Sequence, residues 1–376
     1  MNILSPFQVN IELSTVCNYS CKHCAVSLPS YKGIVMNREN AFKIIDELSL
    51  MNYPPIVIGL SGHGESTILP WFEDLIIYIR KKISKVNIGF NTNGSNLGRI
   101  GKTIIMQKVD HITISVDGGT EETFDEIRGK GNFNRLMDNL SIFNEYKTNL
   151  KSTIPYICFA ITLTNKSIFE LEKIVNIAHT FNVKHIVTQP LTPYIDLNTE
   201  DFTLNKMTEQ EKIVAYSSFC SARDLSKKLN IKFNSLNDDI FDEPKITWNE
   251  KNSSISKIES IPQTENDEKN YRLCLDQWNI MFIKPDGRFN TCCYRDSDIS
   301  ETMESHSLID IWYNSYGLNQ IRHNLITGNL DKVCKNCVVR SASDIPPKPP
   351  NNKVKRMLLY NFGHLIRQIK NKIARE

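Results

Sequence analysis

Short apolar runs alternate with amphipathic stretches along residues 7–190. FQVNIEL (7–13) has strand character. NRENAFKIIDELSLM (37–51) repeats its apolar residues at helical spacing, with Asn37 placed to cap it. PIVIGLSG (55–62) is a short continuous apolar run, as in a strand covered on both faces. WFEDLIIYIRKKI (71–83) returns to the helical period. KVNIGFNTNG (85–94) and HITISVDGG (111–119) read as strands ending in turns, with helical stretches near 121–148. STIPYICFAITLT (152–164), SIFELEKIVNIAHTF (167–181) and VKHIVTQPL (183–191) continue as strand, helix and strand. Six strands separated by helices predict parallel pairing through right-handed crossovers. Six units are too few to close an eight-stranded barrel. The expected fold class is therefore α/β, an open partial (β/α)6 barrel of parallel strands with a small C-terminal cysteine-rich domain. In such folds, functional residues gather at the C-terminal ends of the strands.

Beyond the alternating region, a helical stretch covers about 208–230. Residues 237–270 are polar with few apolar anchors and read as a linker or insertion. Compact composition returns at 271, with Trp278, a KPDGR turn and a late group of cysteines, until IPPKPP (345–350) breaks the chain. The expected division is a core over 7–235, a linker over 236–270, a cysteine-rich domain over 271–344 and a tail over 351–376. The tail carries seven Lys/Arg against one Glu, or +6, which leaves −3 for the preceding 350 residues. Its Leu358, Leu359, Phe362, Leu365, Ile366, Ile369 and Ile373 form a helical apolar stripe. A basic amphipathic helix suits an anionic membrane surface. It suits packing on the domain or on a partner equally well. The membrane reading implies peripheral contact at the inner membrane face, and a lipid-linked sugar or envelope precursor as an attractive substrate.

The 376 residues are enough to bury a sizeable core, and a net charge of +3 is too small to argue for nucleic acid. The N-terminus has no basic region followed by a long apolar run, and no stretch approaches the roughly 20 apolar residues of a membrane span. A cytoplasmic protein is expected. Thiols stay reduced there, so ten cysteines point to metal more than to disulfides.

Cys17, Cys21 and Cys24 fall within eight positions, spaced C-x3-C-x2-C. A structural zinc site wants four N/S ligands. His23 directly precedes Cys24 and is poorly placed to join it on one small ion. A [4Fe–4S] cluster fits differently. Three thiolates hold three irons, and the fourth iron stays open for a ligand. This motif, in the loop after the first strand of an alternating α/β domain, resembles the radical S-adenosylmethionine (SAM) superfamily. The resemblance implies a SAM-binding [4Fe–4S] cluster whose open iron chelates the SAM amino and carboxylate groups. Reductive cleavage of SAM then gives a 5'-deoxyadenosyl radical that abstracts a substrate hydrogen. The cofactor supplies the difficult chemistry and the protein supplies position. His23 stands where an aromatic residue is common in the family.

Further segments match at the strand ends. SGHGESTILP (61–70) resembles the Gly-Gly-Glu segment that holds the SAM ammonium, with Gly64 and Glu65 matching. His63 replaces the usual first glycine, and Ser66 the usual proline. NTNG (91–94), with Asn93, resembles a segment near the SAM-binding face. SVDGG (115–119), with Arg128-Gly129 after it, resembles the fourth-strand segment, where Ser115 and Arg128 would help hold the ribose or the methionyl carboxylate. Asp117 also suits a cap for the helix starting near 121.

The late cysteines follow C-x12-G-x4-C and then C-x2-C: Cys274, Gly287, Cys292, Cys334 and Cys337. This resembles the C-terminal SPASM/twitch extension of radical SAM enzymes. It implies one auxiliary [4Fe–4S] cluster on Cys274, Cys292, Cys334 and Cys337, although four thiolates suit zinc as well. The Gly-x4-Cys spacing selects Cys292 over Cys293. Cys158 and Cys220 are isolated and read as packing residues.

A closed auxiliary cluster suits electron transfer. The layout resembles a radical SAM dehydrogenase of an aminocyclitol alcohol, so oxidation of a carbohydrate or cyclitol-like alcohol is expected. Asp276, beside Cys274, is a candidate for taking the hydroxyl proton. A peptide or protein maturase of the same superfamily is the alternative. Such relatives often carry an N-terminal peptide-recognition domain, whereas the first strand here begins at once. An iron–sulfur electron carrier or redox sensor is a third reading, which leaves Gly64, Glu65, Ser115 and Arg128 unexplained. The partners implied are a small-molecule or peptide substrate and a reductant such as flavodoxin or ferredoxin.

Overall fold

In the computed structural model, the described residues are 4–191, 199–235, 271–292, 299–337, 342–343 and 345–347. The expected linker and the basic tail lie outside them. The strands are β1 (Gln8–Ile11), β2 (Val57–Gly59), β3 (Asn87–Thr92), β4 (His111–Ser115), β5 (Tyr156–Leu163), β6 (His185–Pro190), β7 (Lys232–Ser235), β8 (Tyr271–Arg272), β9 (Ile280–Ile283), β10 (Phe289–Asn290) and β11 (Ala342–Ser343). Nine of them form one sheet in the order β10-β9-β1-β2-β3-β4-β5-β6-β7. Every neighbouring pair is parallel except β9 and β10.

The six expected strands are β1 to β6, lying side by side in chain order as successive crossovers require. Each crossover places helices against the sheet: α1 (Arg38–Ser49), α2 (Phe72–Lys82), α3 (Leu97–Met106), α4 (Glu121–Arg128), α5 (Asn132–Asn149), α6 (Leu171–Thr180) and α7 (Glu209–Lys228). Asn37 caps α1, its side chain accepting from the Glu39 amide at 2.8 Å. Thr208 and Glu211 form a capping box on α7. The helices bury Ile44, Ile45, Leu75, Ile79, Ile100, Ile104, Leu140 and Ile174 against a sheet face of Val9, Ile58, Ile88, Phe90, Ile114 and Phe159. Such an apolar stripe over a covered parallel sheet supplies the main stabilising term.

Three strands of this sheet lie beyond the expected six. β7 has one large apolar residue, Phe233, in KFNS, too little for a hydrophobic run to register. β9 pairs in parallel with β1, Gln8 opposite Ile280 and Ile11 opposite Ile283. About 270 residues separate these partners in the chain, and local periodicity carries no trace of such a pairing. The cysteine-rich region thus adds β9 and β10 to the core sheet itself. Its helices α9 (Leu308–Asn314) and α10 (Tyr316–Thr327) are pinned beside the N-terminus, where Trp312 Nε1 donates to Leu4 O at 2.7 Å. A smaller pair, β8 with β11, stands apart from the main sheet.

Candidate functional site

The loop carrying Cys17, Cys21 and Cys24 leaves the C-terminal end of β1 and is tied down on several sides. Thr15 N donates to Ile34 O at 2.8 Å, and Lys22 N to Ile127 O at 2.9 Å. Gly64 N donates to Ser14 O at 3.1 Å, and Glu65 N to Val16 O at 2.9 Å. Two backbone hydrogen bonds therefore hold the segment after β2 against the cysteine loop. A Cβ at position 64 would fall 2.6 Å from Ser14 O, and nearer still to Val16 O, so only glycine permits the approach.

That pairing carries Glu65 into the interior, where it is 2% exposed. Its Oε1 accepts from Thr67 Oγ1 at 2.6 Å, Thr92 Oγ1 at 2.8 Å and Thr67 N at 3.2 Å. Its Oε2 accepts from Asn93 N at 2.6 Å. Burial raises the carboxyl pKa against the opposing pull of these donors. Asn93 closes the link to the cysteines: its Nδ2 donates to Asn18 Oδ1 at 2.9 Å and lies 3.8 Å from Cys17 Sγ.

Arg128 ends α4 and turns inward. Its Nε and Nη2 donate to Asp117 Oδ2 at 2.7 and 2.6 Å, and its Nη1 stands 4.0 Å from Cys21 Sγ. Burial alone would lower the Arg128 pKa, and the Asp117 carboxylate more than offsets it, so the guanidinium stays charged. Asp117 also accepts from Thr162 N at 2.7 Å. It does not cap α4; Thr120 does. Two residues separate Asp117 from that cap, and its carboxylate is committed to Arg128 instead. Ser115 sits at the C-terminal end of β4, half-buried, opposite Ala160 of β5.

The thiols feel this enclosure. Burial raises the pKa of Cys17, with the Tyr19 amide opposing. Burial pushes Cys21 up to about 11, with Arg128 opposing. Among the described residues, three buried polar atoms on or beside the loop have no hydrogen-bond partner, His23 Nδ1, Ser27 Oγ and Ser66 Oγ. Orphaned polar atoms next to three thiols on one loop fit a thiolate-bound cluster carrying a polar ligand.

Cys274 is buried with Trp278, Ile321, Leu325 and Leu330, and Cys334 packs against the same cluster. Arg272 Nε donates to Cys334 O at 3.0 Å, and Cys337 N to Cys334 O at 3.4 Å. Cys292 follows β10 and lines a cavity of about 240 Å³ between the ends of β1, β2 and β9. Asp276 opens the short helix α8 (Asp276–Asn279) and is not among the residues lining that cavity.

The same cavity holds a group that sequence reasoning missed. Glu12 Oε1 accepts from His63 N at 2.6 Å and from His63 Nδ1 at 2.9 Å, while Lys284 Nζ lies 3.1 Å from Glu12 Oε2. Burial would raise the Glu12 carboxyl, but His63 and Lys284 outweigh it and bring the pKa down to about 2. These residues come from three distant strand ends and share no spacing signal. The one hint was His63 in a glycine position.

Comparison with known proteins agrees with this geometry. A family model for the radical SAM superfamily matches residues 11–159, and one for an iron–sulfur cluster-binding domain, SPASM, matches residues 274–338. The mycofactocin maturase MftC of Mycobacterium tuberculosis is 25% identical over 189 residues, which cover 49% of this chain and 45% of that protein. The chain thus spans less than half the length of this curated relative. Streptococcus suis SuiB bound to the precursor peptide SuiA shares the fold with a TM-score of 0.58 at 16% identity, over 85% of this chain and 68% of that one. The protein anSMEcpe with bound AdoMet and the Cp18Cys peptide does so with a TM-score of 0.57 at 16% identity, over 98% and 99%. Three thiols after the first strand, the Gly64–Glu65 segment laid against them and the two matching models together make the chain a member of the radical SAM superfamily with a C-terminal SPASM iron–sulfur domain.

Proposed function

We propose that this radical SAM enzyme is a peptide maturase, modifying a residue of a ribosomally made peptide. The observation that carries the reading is the match to the maturase MftC over 189 residues, 49% of the chain. The cavity at the strand ends supports it. At about 240 Å³ it is smaller than the roughly 300–1,000 Å³ that takes a whole small ligand, and suits one side chain of a longer molecule. The peptide reading therefore stands ahead of the carbohydrate or cyclitol alcohol.

Cys17, Cys21 and Cys24 would hold three irons of the SAM cluster, and Cys274, Cys292, Cys334 and Cys337 an auxiliary cluster. With SAM bound, the cluster supplies hydrogen abstraction from an unactivated C–H bond, which no side chain achieves. The chain's own residues supply position. Glu65 is held rigid by four donors and keeps acceptor capacity on Oε2 for a ligand ammonium. Arg128 places a fixed positive charge beside Cys21, and Ser115 offers a hydroxyl at the same end of the sheet. Cys21 is buried and Cys17 and Cys24 are partly so, which would limit the access of water to a cluster held there.

The test is co-expression of the protein with each short peptide encoded beside its gene, followed by mass spectrometry of the peptides. A mass change that needs both SAM and the intact cysteines supports the reading. Cleavage of SAM to 5'-deoxyadenosine, with every peptide unaltered and a carbohydrate alcohol oxidised, would replace it.

A further inference from the structure

The Glu12–His63–Lys284 group lies outside the cysteine and SAM residues, yet opens on the same end of the sheet. Its three members follow β1, β2 and β9 at their C-terminal ends. Gly62 makes the contact close: a Cβ there would stand 2.5 Å from Glu12 Cδ. The chain can therefore fold His63 back so that its amide and its ring nitrogen both reach one carboxylate oxygen. Glu12 is 7% exposed at its side chain, whereas the His63 side chain is 55% exposed and borders the cavity.

A carboxylate bonded to Nδ1 fixes the tautomer that carries hydrogen on Nδ1, leaving the Nε2 lone pair free to accept. Among the described residues, Nε2 has no hydrogen-bond partner. Cys292 lines the same cavity, so the pocket borders both the loop after β2 and one of the auxiliary cysteines. We propose that His63 Nε2 is the proton acceptor for the peptide group that reacts in this cavity. The proposal rests on the maturase reading above. The proton leaves an N–H, O–H or S–H of the bound residue, its bonding pair stays on the substrate atom, and an N–H bond forms at Nε2. Glu12 then faces the imidazolium, and Lys284 keeps Glu12 from taking the proton itself.

The test uses anaerobically reconstituted holoenzyme in two arms. The first needs no substrate. Diethyl pyrocarbonate acylates free imidazole nitrogen, and peptide mapping reports the rate at each histidine. His63 should react several-fold faster than His306 and His323, and E12Q should erase that advantage. A His63 that reacts no faster than those two overturns the proposal. The second arm uses the peptide that shows a mass change on co-expression. H63N keeps a donor for Glu12 but has no atom at Nε2. It should lower product formed per 5'-deoxyadenosine by about 100-fold or more, the usual scale for a lost acid–base group. Added imidazole should restore part of it. A wild-type ratio in H63N overturns the proposal. If wild-type enzyme cleaves SAM but alters no peptide, the maturase reading fails on its own, and the acylation arm decides whether His63 carries an activated nitrogen.

Discussion

An alanine at position 64 would press its Cβ to 2.6 Å from Ser14 O and 2.7 Å from Thr15 C. Backbone atoms cannot swing aside as a side chain can, so the cysteine loop itself must shift. G64A should therefore cost about 1–3 kcal/mol of stability, the range for overpacking, and lower iron uptake together with SAM cleavage. Iron content after reconstitution, set beside thermal unfolding, checks it; full iron with normal cleavage would refute it. Asp117 makes a second residue-scale case. It is fully buried and is the carboxylate that faces Arg128. D117N keeps an acceptor for Thr162 N but turns a neutral group to the guanidinium. Breaking a buried pair by removing one partner costs about 3–5 kcal/mol. Urea unfolding should show that loss, and D117N/R128M should recover part of it because no lone charge then remains buried. At this scale the sequence was legible wherever a motif sat within one loop. Glu65 and Asn93 share a hydrogen bond, Asn93 Nδ2 lies 3.8 Å from Cys17 Sγ, and Arg128 Nη1 lies 4.0 Å from Cys21 Sγ. Glu12 escaped notice because it sits inside an ordinary strand pattern, and its partners arrive from β2 and β9.

Among the elements, α10 depends on one buried cation. Arg322 is fully buried and donates to Gln277 O at 2.9 Å, Trp312 O at 2.8 Å and Asn319 Oδ1 at 3.1 Å. It also stacks 4.6 Å from the Trp312 ring. Burial lowers its pKa to about 9, the Tyr313 phenol opposing. Arg322 thereby joins α8, α9 and α10 around the apolar cluster that holds Cys274 and Cys334. R322M would leave carbonyls unpaired, at about 1–3 kcal/mol for each buried group. We expect the variant to keep SAM cleavage and lose auxiliary iron, read by iron content and 5'-deoxyadenosine yield. Loss of cleavage with retained iron would contradict this. The alternation of apolar runs and amphipathic helices made β1 to β6 readable in advance. β7 and β9 were not readable, for opposite reasons. β7 is too polar to register, whereas β9 is apolar enough but its partner lies at the far end of the chain.

For the whole molecule, the parallel pairing of β9 with β1 decides where the two cysteine sets open. Because both strands run the same way, Glu12 and the thiol loop follow β1 at the end of the sheet where Lys284 follows β9. An antiparallel pairing would have sent Lys284 to the opposite end. The next turn brings the chain back through β10 to Cys292, on the wall of the same cavity. The two sets are thus joined by one sheet, yet they hang on different local supports. The first rests on the segments around Gly64, Asn93 and Arg128, and the second on Arg272, Arg322 and the cluster at Trp278. Separate supports predict separable losses. Wild-type protein should bind about eight irons, four for each cubane. C21A should fall to about four and stop making 5'-deoxyadenosine. C274A should also fall to about four but continue to cleave SAM without altering a peptide. Iron analysis, 5'-deoxyadenosine yield and peptide mass, measured on the same three preparations, distinguish these outcomes. If C274A also abolished SAM cleavage, the shared sheet would be transmitting damage from one cysteine set to the other, and the auxiliary region would have to be counted as part of the SAM site.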